Sequence, residues 1–282
     1  MTPQQYCQEQ VLREGSSLYY SLRFLPTAQR HTLTALHAFF YEISEIKHKC
    51  QDIDVAKAKF QWWQQEITRT FENASQHPIC QALTEPIQHY QLQQHYFQEI
   101  VEGLQLDLEV TGYAKFEDLE EYCKHTSSVL SLLGTQVLGY QNDSTLKYAE
   151  QLGIALQLTY ILRGLRRDTL KRRIYIPQDE LERFGVNKQT LLDGQLTEMI
   201  QAVLAYQATR IRAYYHHAFQ YLAKEDCFNQ RSGLIRAQLA LATLQEIEND
   251  GYQVFKHKIH LTPLRKLWIT WRTLWQARGW LR

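Results

Sequence analysis

Between Pro86 and Pro177, and again between Pro177 and Pro263, the chain contains no proline. Neither interval shows the apolar–polar alternation, bounded by turn residues, that marks strands. Long helices are what such intervals can form. In TALHAFFYEISEIKHKC the apolar residues Leu36, Phe39, Phe40, Ile43 and Ile46 recur three and four apart, which predicts an amphipathic helix from about Ala28 to Cys50. The same period runs through FQWWQQEITRTF, HYFQEIVEGLQLDL, TLKYAEQLGIALQLTYILRGL and RSGLIRAQLALATLQEIEND, among others. Turn signals at GYQND and ERFGVNK fall where these segments should reverse. No linker, composition shift or fixed-period repeat divides the chain, so the expectation is one all-α domain over residues 1–282 with at least seven substantial helices.

Size and charge narrow the function classes. A chain of 282 residues with 44% hydrophobic and 22% charged residues can bury a large core. A formal net charge of +1 gives no global attraction to nucleic acid, so any electrostatic function must be local and no nucleic-acid partner is expected. Five widely spaced cysteines without CxxC spacing argue against a disulfide framework and a zinc cluster. With no signal-like N-terminus and no apolar run long enough to span a bilayer, the expected location is cytoplasmic, with at most a peripheral contact on a membrane.

Generic motifs are few. GxGxxG, GxxxxGK, GxSxG and HExxH are absent. Ser44 and Lys47 have the serine–lysine spacing of some acylating enzymes, but no companion motif follows. His37, Glu45 and His48 could share a helix face and ligate a metal, although ordinary hydrogen-bonded histidines account for them more simply. The densest chemistry is LTYILRGLRRDTLKRRIYIP, where Arg163, Arg166, Arg167, Lys171, Arg172 and Arg173 surround the single acid Asp168. Such a stretch reads as a solvated helix end, as a nucleic-acid patch, or as an anion pocket in which arginine forks hold phosphate.

Several blocks together resemble the squalene/phytoene synthase family, most of all its bacterial presqualene-diphosphate and hydroxysqualene synthase branches. GSSLYYSLRFLP resembles the family's entry segment and QRHTLTALHAFFYEISEI its first long helix. EIVEGLQLDLEVTGYAKFEDLEEYCKHTSSVLSLLG resembles the central helix pair, and LGIALQLTYILRGLRRDTLKRRIYIPQDELERFGV the second metal helix. The resemblance implies an isoprenoid-synthase bundle around an apolar cavity, and condensation of two prenyl diphosphates with the help of magnesium. It implies diphosphate contacts from Ser16, Ser17, Tyr19, Tyr20, Gln157 and Arg163, to which the anion-pocket reading of the arginine cluster adds Arg167. It also implies a tunnel, for which Phe39, Leu132, Leu133, Val137 and Leu156 are the candidates.

At the metal positions the sequence departs from that pattern. Where the family reads Asp-Asp-x-x-Asp, this chain has Ser44, Glu45 and His48, with Lys47 and Lys49 beside them. Where it reads Asp-x-x-Glu-Asp, this chain has Gly164, Arg167 and Asp168, and Tyr160 replaces the preceding asparagine. The expectation is a member that keeps the cavity and binds a prenyl diphosphate or related isoprenoid lipid without ordinary magnesium-dependent condensation, or that serves as an assembly or scaffold protein. The alternative is an active prenyltransferase in which Asp168, Glu45 and Asp107 hold fewer magnesium ions. Finally, LRKLWITWRTLWQARGWLR, residues 264–282, carries four of the six tryptophans among arginines. It reads either as an interfacial helix for an anionic bilayer or as a helix docked on the domain's own core.

Overall fold

Both proline-free intervals are helical in the computed structural model, which describes residues 1–50 and 52–279. The helices are α1 Pro3–Val11, α2 Ser17–Leu22, α3 Thr27–Ser44, α4 Ile46–Lys49, α5 Ile53–Phe71, α6 Pro78–His89, α7 Gln94–Glu109 and α8 Phe116–Cys123. They continue as α9 Val129–Leu138, α10 Ser144–Leu170, α11 Gln178–Arg183, α12 Lys188–Leu192, α13 Glu198–Tyr221, α14 Arg231–Asn249 and α15 Pro263–Gly279. No strand occurs among the described residues; the one extended pairing is an isolated bridge between Gly112 and Ile174. Local chemistry sets the boundaries. Asp52 accepts from the amides of Asp54 and Val55 at the start of α5, Thr197 from that of Ile200 at the start of α13, and Gly139, at φ 77°, ends α9.

The central helix α10 packs against α9, α13 and α14, while α3 lies across α1, α6 and α9. A continuous buried apolar cluster runs from Cys7 to Ala277, and a smaller one joins Tyr20, Ile235, Leu239, Leu261, Ile269 and Leu274 beneath α15. Three of the expected tunnel residues, Phe39, Leu133 and Val137, belong to the packed core, at 0–2% exposure.

Between α8 and α9 the helix widens into a π turn, Lys124–Ser128, whose serines face α10. Ser127 Oγ donates to Gln157 Oε1 at 2.8 Å and Ser128 Oγ to the Glu150 carbonyl at 2.8 Å. The approach is possible because residue 153 is glycine: a Cβ there would stand 2.4 Å from Ser128 Cα and 2.6 Å from the Ser127 carbonyl oxygen. Backbone cannot yield as a side-chain tip can. Gly153→Ala should therefore cost about 2 kcal/mol or more despite alanine's better helix propensity. Urea unfolding checks this, and an unchanged midpoint would mean that the two segments are not in contact.

Candidate functional site: a cationic cavity

A cavity of about 330 Å³ opens between α3, α4, α10, α14 and the π turn. Its wall is mixed, with Leu18, Phe40, Leu130 and Leu156 on the apolar side. Toward one end stand Ser44, Glu45, Lys47, His48, Tyr160, Arg163 and Arg167. Ser44, Glu45, His48 and Arg167 are positions of the two metal motifs and the others adjoin them, so the fold does bring both motifs to one place, although Gly164 and Asp168 are not among the lining residues.

The first motif sits at a break. α3 ends at Ser44, Glu45 turns, and α4 restarts at Ile46, so His37, Glu45 and His48 do not share one uninterrupted helix face. Ser44 Oγ donates to the Tyr41 carbonyl at 2.8 Å, and Lys47 is engaged elsewhere, which leaves no serine–lysine pair. Lys47 turns inward and pairs with Asp107 of α7. Arg173 pairs with the same carboxylate, while Tyr113 Oη and Tyr175 Oη donate to it at 2.8 and 3.0 Å. The Gly112–Ile174 bridge carries Tyr113 and Tyr175 to this point. Asp107 is 1% exposed. Burial alone would raise its pKa, but Lys47 and Arg173 outweigh burial and hold the carboxyl below its usual range. It faces its four partners instead of the cavity, so the alternative reading loses one of its three acids.

The second motif is occupied by its own arginine. Arg167 grips Asp168 with Nε and Nη2 at 2.8 and 3.0 Å, donates to Tyr160 Oη, and lies 4.4 Å from the centre of the Tyr160 ring. Asp168 is 2% exposed. Gly164 makes the grip possible: a Cβ at 164 would fall 2.7 Å from Arg167 Nη2 and 3.4 Å from Asp168 Oδ2. The space that an acid at 164 would need is filled by a guanidinium. Arg163 also lines the cavity and makes no hydrogen bond or ion pair among the described residues; its nearest aromatic ring is Tyr160, at 5.9 Å.

Cations outnumber carboxylates here: Asp107 and Asp168 answer Lys47, Arg173 and Arg167, while Arg163 has no acid among the described residues. Burial, with the charges of Lys47, Lys171, Arg167 and Arg173, pushes the His48 pKa down to about 3. Burial and then the charge of Arg163 lower Lys266, and Arg163 also acts, behind burial, on Lys258 and His260. Lys258 and His260 lie in the basic run KHKIH, residues 256–260, and Lys266 in the C-terminal segment of tryptophans and arginines; neither stretch announces locally that it approaches the cavity.

Other expected residues scatter. Ser17 lines the cavity, and Ser16 caps α2 by accepting from the Tyr19 amide at 3.1 Å. Tyr20 lies in the packed seam under α15 instead of the cavity, because α2 turns that face toward α14. Arg166 is exposed and donates to the Lys256 carbonyl at 2.7 Å, so it leaves the cluster. Lys171 and Arg172 are exposed, and Lys49 rests over Tyr41. Gln157 and Leu156 face the cavity, whereas Leu132 is not among its lining residues.

The donor set does not fit the magnesium that the resemblance implies. Magnesium takes about six oxygen ligands in octahedral array, yet of the acids at these positions Asp168 is held by Arg167, Asp107 is held by Lys47 and Arg173, and Glu45 stands alone. Among the described residues no three His, Cys, Asp or Glu side chains gather as a metal set.

Residues 11–265 match the squalene/phytoene synthase family. Phytoene synthase of Mycobacterium tuberculosis is 30% identical over 269 residues, which is 92% of this chain and 86% of that protein. 15-cis-phytoene synthase of Synechococcus elongatus is 26% identical over 273 residues, 93% of this chain and 89% of that protein. Among solved structures, a dehydrosqualene synthase in complex with ligand superposes with a TM-score of 0.86 at 21% identity, over 98% of this chain and 97% of the other. A squalene synthase from Alicyclobacillus acidocaldarius gives 0.77 at 20% identity, over 89% of this chain and 94% of the other. The all-α bundle is thus the fold of these enzymes, and with nearly its whole length matched the chain belongs to the squalene/phytoene synthase family.

Proposed function

We propose that the protein binds a prenyl diphosphate without divalent metal, as a single-domain member of its family that has given up ordinary head-to-head condensation. The observation that carries this reading is the Arg167 fork lying in the space of the missing acid at 164, beside an unpaired Arg163. In that arrangement the charge that magnesium supplies to a diphosphate comes from side chains: Arg163 offers a free planar fork, and Arg167 the N–H groups it does not spend on Asp168 and Tyr160. Ser17 adds a hydroxyl, and Phe40, Leu130 and Leu156 enclose the prenyl chain. Fixed guanidinium groups bind a diphosphate but leave ionisation of the allylic carbon without the metal that would draw charge onto the leaving group.

Calorimetry with farnesyl diphosphate tests the proposal. Binding should be equal, within about twofold, in EDTA and in millimolar magnesium, and the same incubations should yield no thirty- or forty-carbon hydrocarbon. Binding that requires magnesium, or squalene or phytoene above a heat-killed control, favours the active reading. That reading draws support from the phytoene synthases matched over most of the chain.

The C-terminal helix supports a place for this binding. α15 buries Ile269, Thr270, Thr273, Leu274 and Ala277 against its neighbours and leaves Leu264, Trp268, Trp271 and Trp275 outward at 54–81% exposure. Arg272 and Arg278 flank that face, while residues 280–282 lie outside the described part. Lys266, on the inner side, donates to the Gly15 carbonyl at 2.7 Å beside the cavity cations. No helix among the described residues is long and apolar enough to cross a membrane. Tryptophans with flanking arginines suit the headgroup layer of an anionic bilayer, with the cavity alongside. Because truncation would strip the buried half of α15, the better test replaces Trp268, Trp271 and Trp275 with glutamine. Co-sedimentation with phosphatidylglycerol vesicles should fall by about tenfold or more, and equal sedimentation would leave the face without that role.

A further inference from the structure

Away from the motif residues, the cavity wall carries a second polar pole. Arg236 of α14 and His37 of α3 face the same cavity, and Arg236 Nη1 donates to His37 Nε2 at 3.1 Å. That is its only hydrogen bond, and no carboxylate pairs with it among the described residues. Nε2 can accept only from a neutral ring, and burial followed by the Arg236 charge keeps His37 well below its ordinary pKa. Next to this pair a side void of about 40 Å³ is lined by Arg236, His37, Gln230 and Tyr148, and the buried Tyr148 hydroxyl has no hydrogen-bond partner. Arg236 is half-buried, and the N–H groups it does not spend on His37 open onto the cavity, where an anion would meet them.

Position in the fold separates this pole from the first. His37 lies about two turns inside α3, whereas Ser44, Glu45 and His48 stand at its broken end. A hydrocarbon-tailed diphosphate held by Arg163 and Arg167 would put bare methyl groups against Arg236. A chain ending in a carboxylate would satisfy it, since the guanidinium fork and the carboxylate match in shape and charge.

We propose that the cavity is built for a ligand polar at both ends, with a phosphate-type anion at the Arg163 and Arg167 end and a carboxylate against Arg236. This deepens the reading of the cavity as a prenyl-diphosphate site and rests on it for the first pole only. The ligand class is an acidic, terminally oxidised amphiphile, so the reaction that supplies it must oxidise the far end of an apolar chain.

Two commercial probes isolate the second pole. ω-Phosphonododecanoic acid and dodecylphosphonic acid share a phosphonate and an apolar chain of equal carbon count, and differ only in the terminal carboxylate. The wild type should bind the carboxylated probe about tenfold or more tightly, the effect of one charge-assisted pair. Arg236→Met should reverse the preference, because a carboxylate would then be buried without a partner. Arg236→Lys, which keeps a cation, should retain part of it and covers the case in which the methionine variant does not fold. Equal affinity for the two probes in the wild type, or the same preference in wild type and both variants, overturns the proposal and leaves the pole to ordered water. Failure of farnesyl diphosphate to bind, with the Arg236-dependent preference intact, would sink the prenyl-diphosphate reading alone.

Discussion

Replacing Asp107 with alanine is expected to remove about 3–5 kcal/mol of stability, the usual consequence of taking one partner from a buried ion pair. The side chain is fully enclosed, and two cations, Lys47 and Arg173, depend on it for charge balance. Without it both remain in a poorly solvated place beside Tyr113 and Tyr175, whose hydroxyls lose their acceptor as well. Lys47→Met should cost less, because Arg173 still answers the carboxylate. Urea unfolding of the two variants gives the comparison, and a loss below about 1 kcal/mol for Asp107→Ala would show that the cluster does not hold.

The same cluster predicts acid sensitivity, with a definite sign. Asp107 has a folded pKa below its ordinary 3.8, so its contribution is complete above about pH 4 and is lost as pH falls through the folded value. His48 moves from 6.5 down to about 3, so the fold resists its protonation, and the stability tied to its neutral form declines as pH falls from about 6.5 toward 3. Thermal midpoints should begin to drop near pH 6.5 in the wild type. In His48→Gln the fall below pH 6.5 should be shallower but still present, because His37 is also held well below its ordinary value. An identical slope in both proteins would remove His48 from the account.

The second large effect is on binding. Arg163→Ala with Arg167→Ala should weaken farnesyl diphosphate binding in EDTA by about a hundredfold or more, because two charge-assisted contacts at roughly 1.5–3 kcal/mol each are lost. Removing Arg167 also leaves the buried Asp168 without its partner, so the pair of substitutions must be read beside Arg163→Ala alone. Arg163 has no hydrogen-bond partner to orphan, and its single variant should keep the wild-type melting curve while losing about tenfold or more in affinity. Unchanged affinity in that variant would reduce the cluster to a charged helix end.

The helices were legible because one signal, apolar residues three and four apart over long proline-free stretches, reports directly on which face is buried. What that signal cannot separate is a face buried against protein from a face that borders a cavity, since both are apolar. Leu156 lines the cavity, while Leu133 and Val137, on an equally apolar helix, do not. The two motifs were legible as positions, but their partners were not. Lys47 meets Asp107 across 60 residues of chain, and Arg236 meets His37 across 199, so no local spacing announces either contact. Tyr20 shows the opposite failure: a segment resemblance assigned it to the ligand, and the turn of one short helix assigned it to the core.

The fit between Gly164 and Arg167 constrains the routes by which this sequence could change. With Arg167 in place, a Cβ at 164 would meet the tip of the guanidinium at 2.7 Å, so an aspartate there asks that flexible tip to move and offers it a second carboxylate. With Gly164 in place, exchanging Arg167 for an acid sets a second carboxylate beside a buried Asp168 that no longer has a counter-charge. The two changes are therefore unequal: an acid at 164 displaces a mobile tip, whereas an acid at 167 alone strands a buried carboxylate, so the order in which they are made decides whether the intermediate protein is stable.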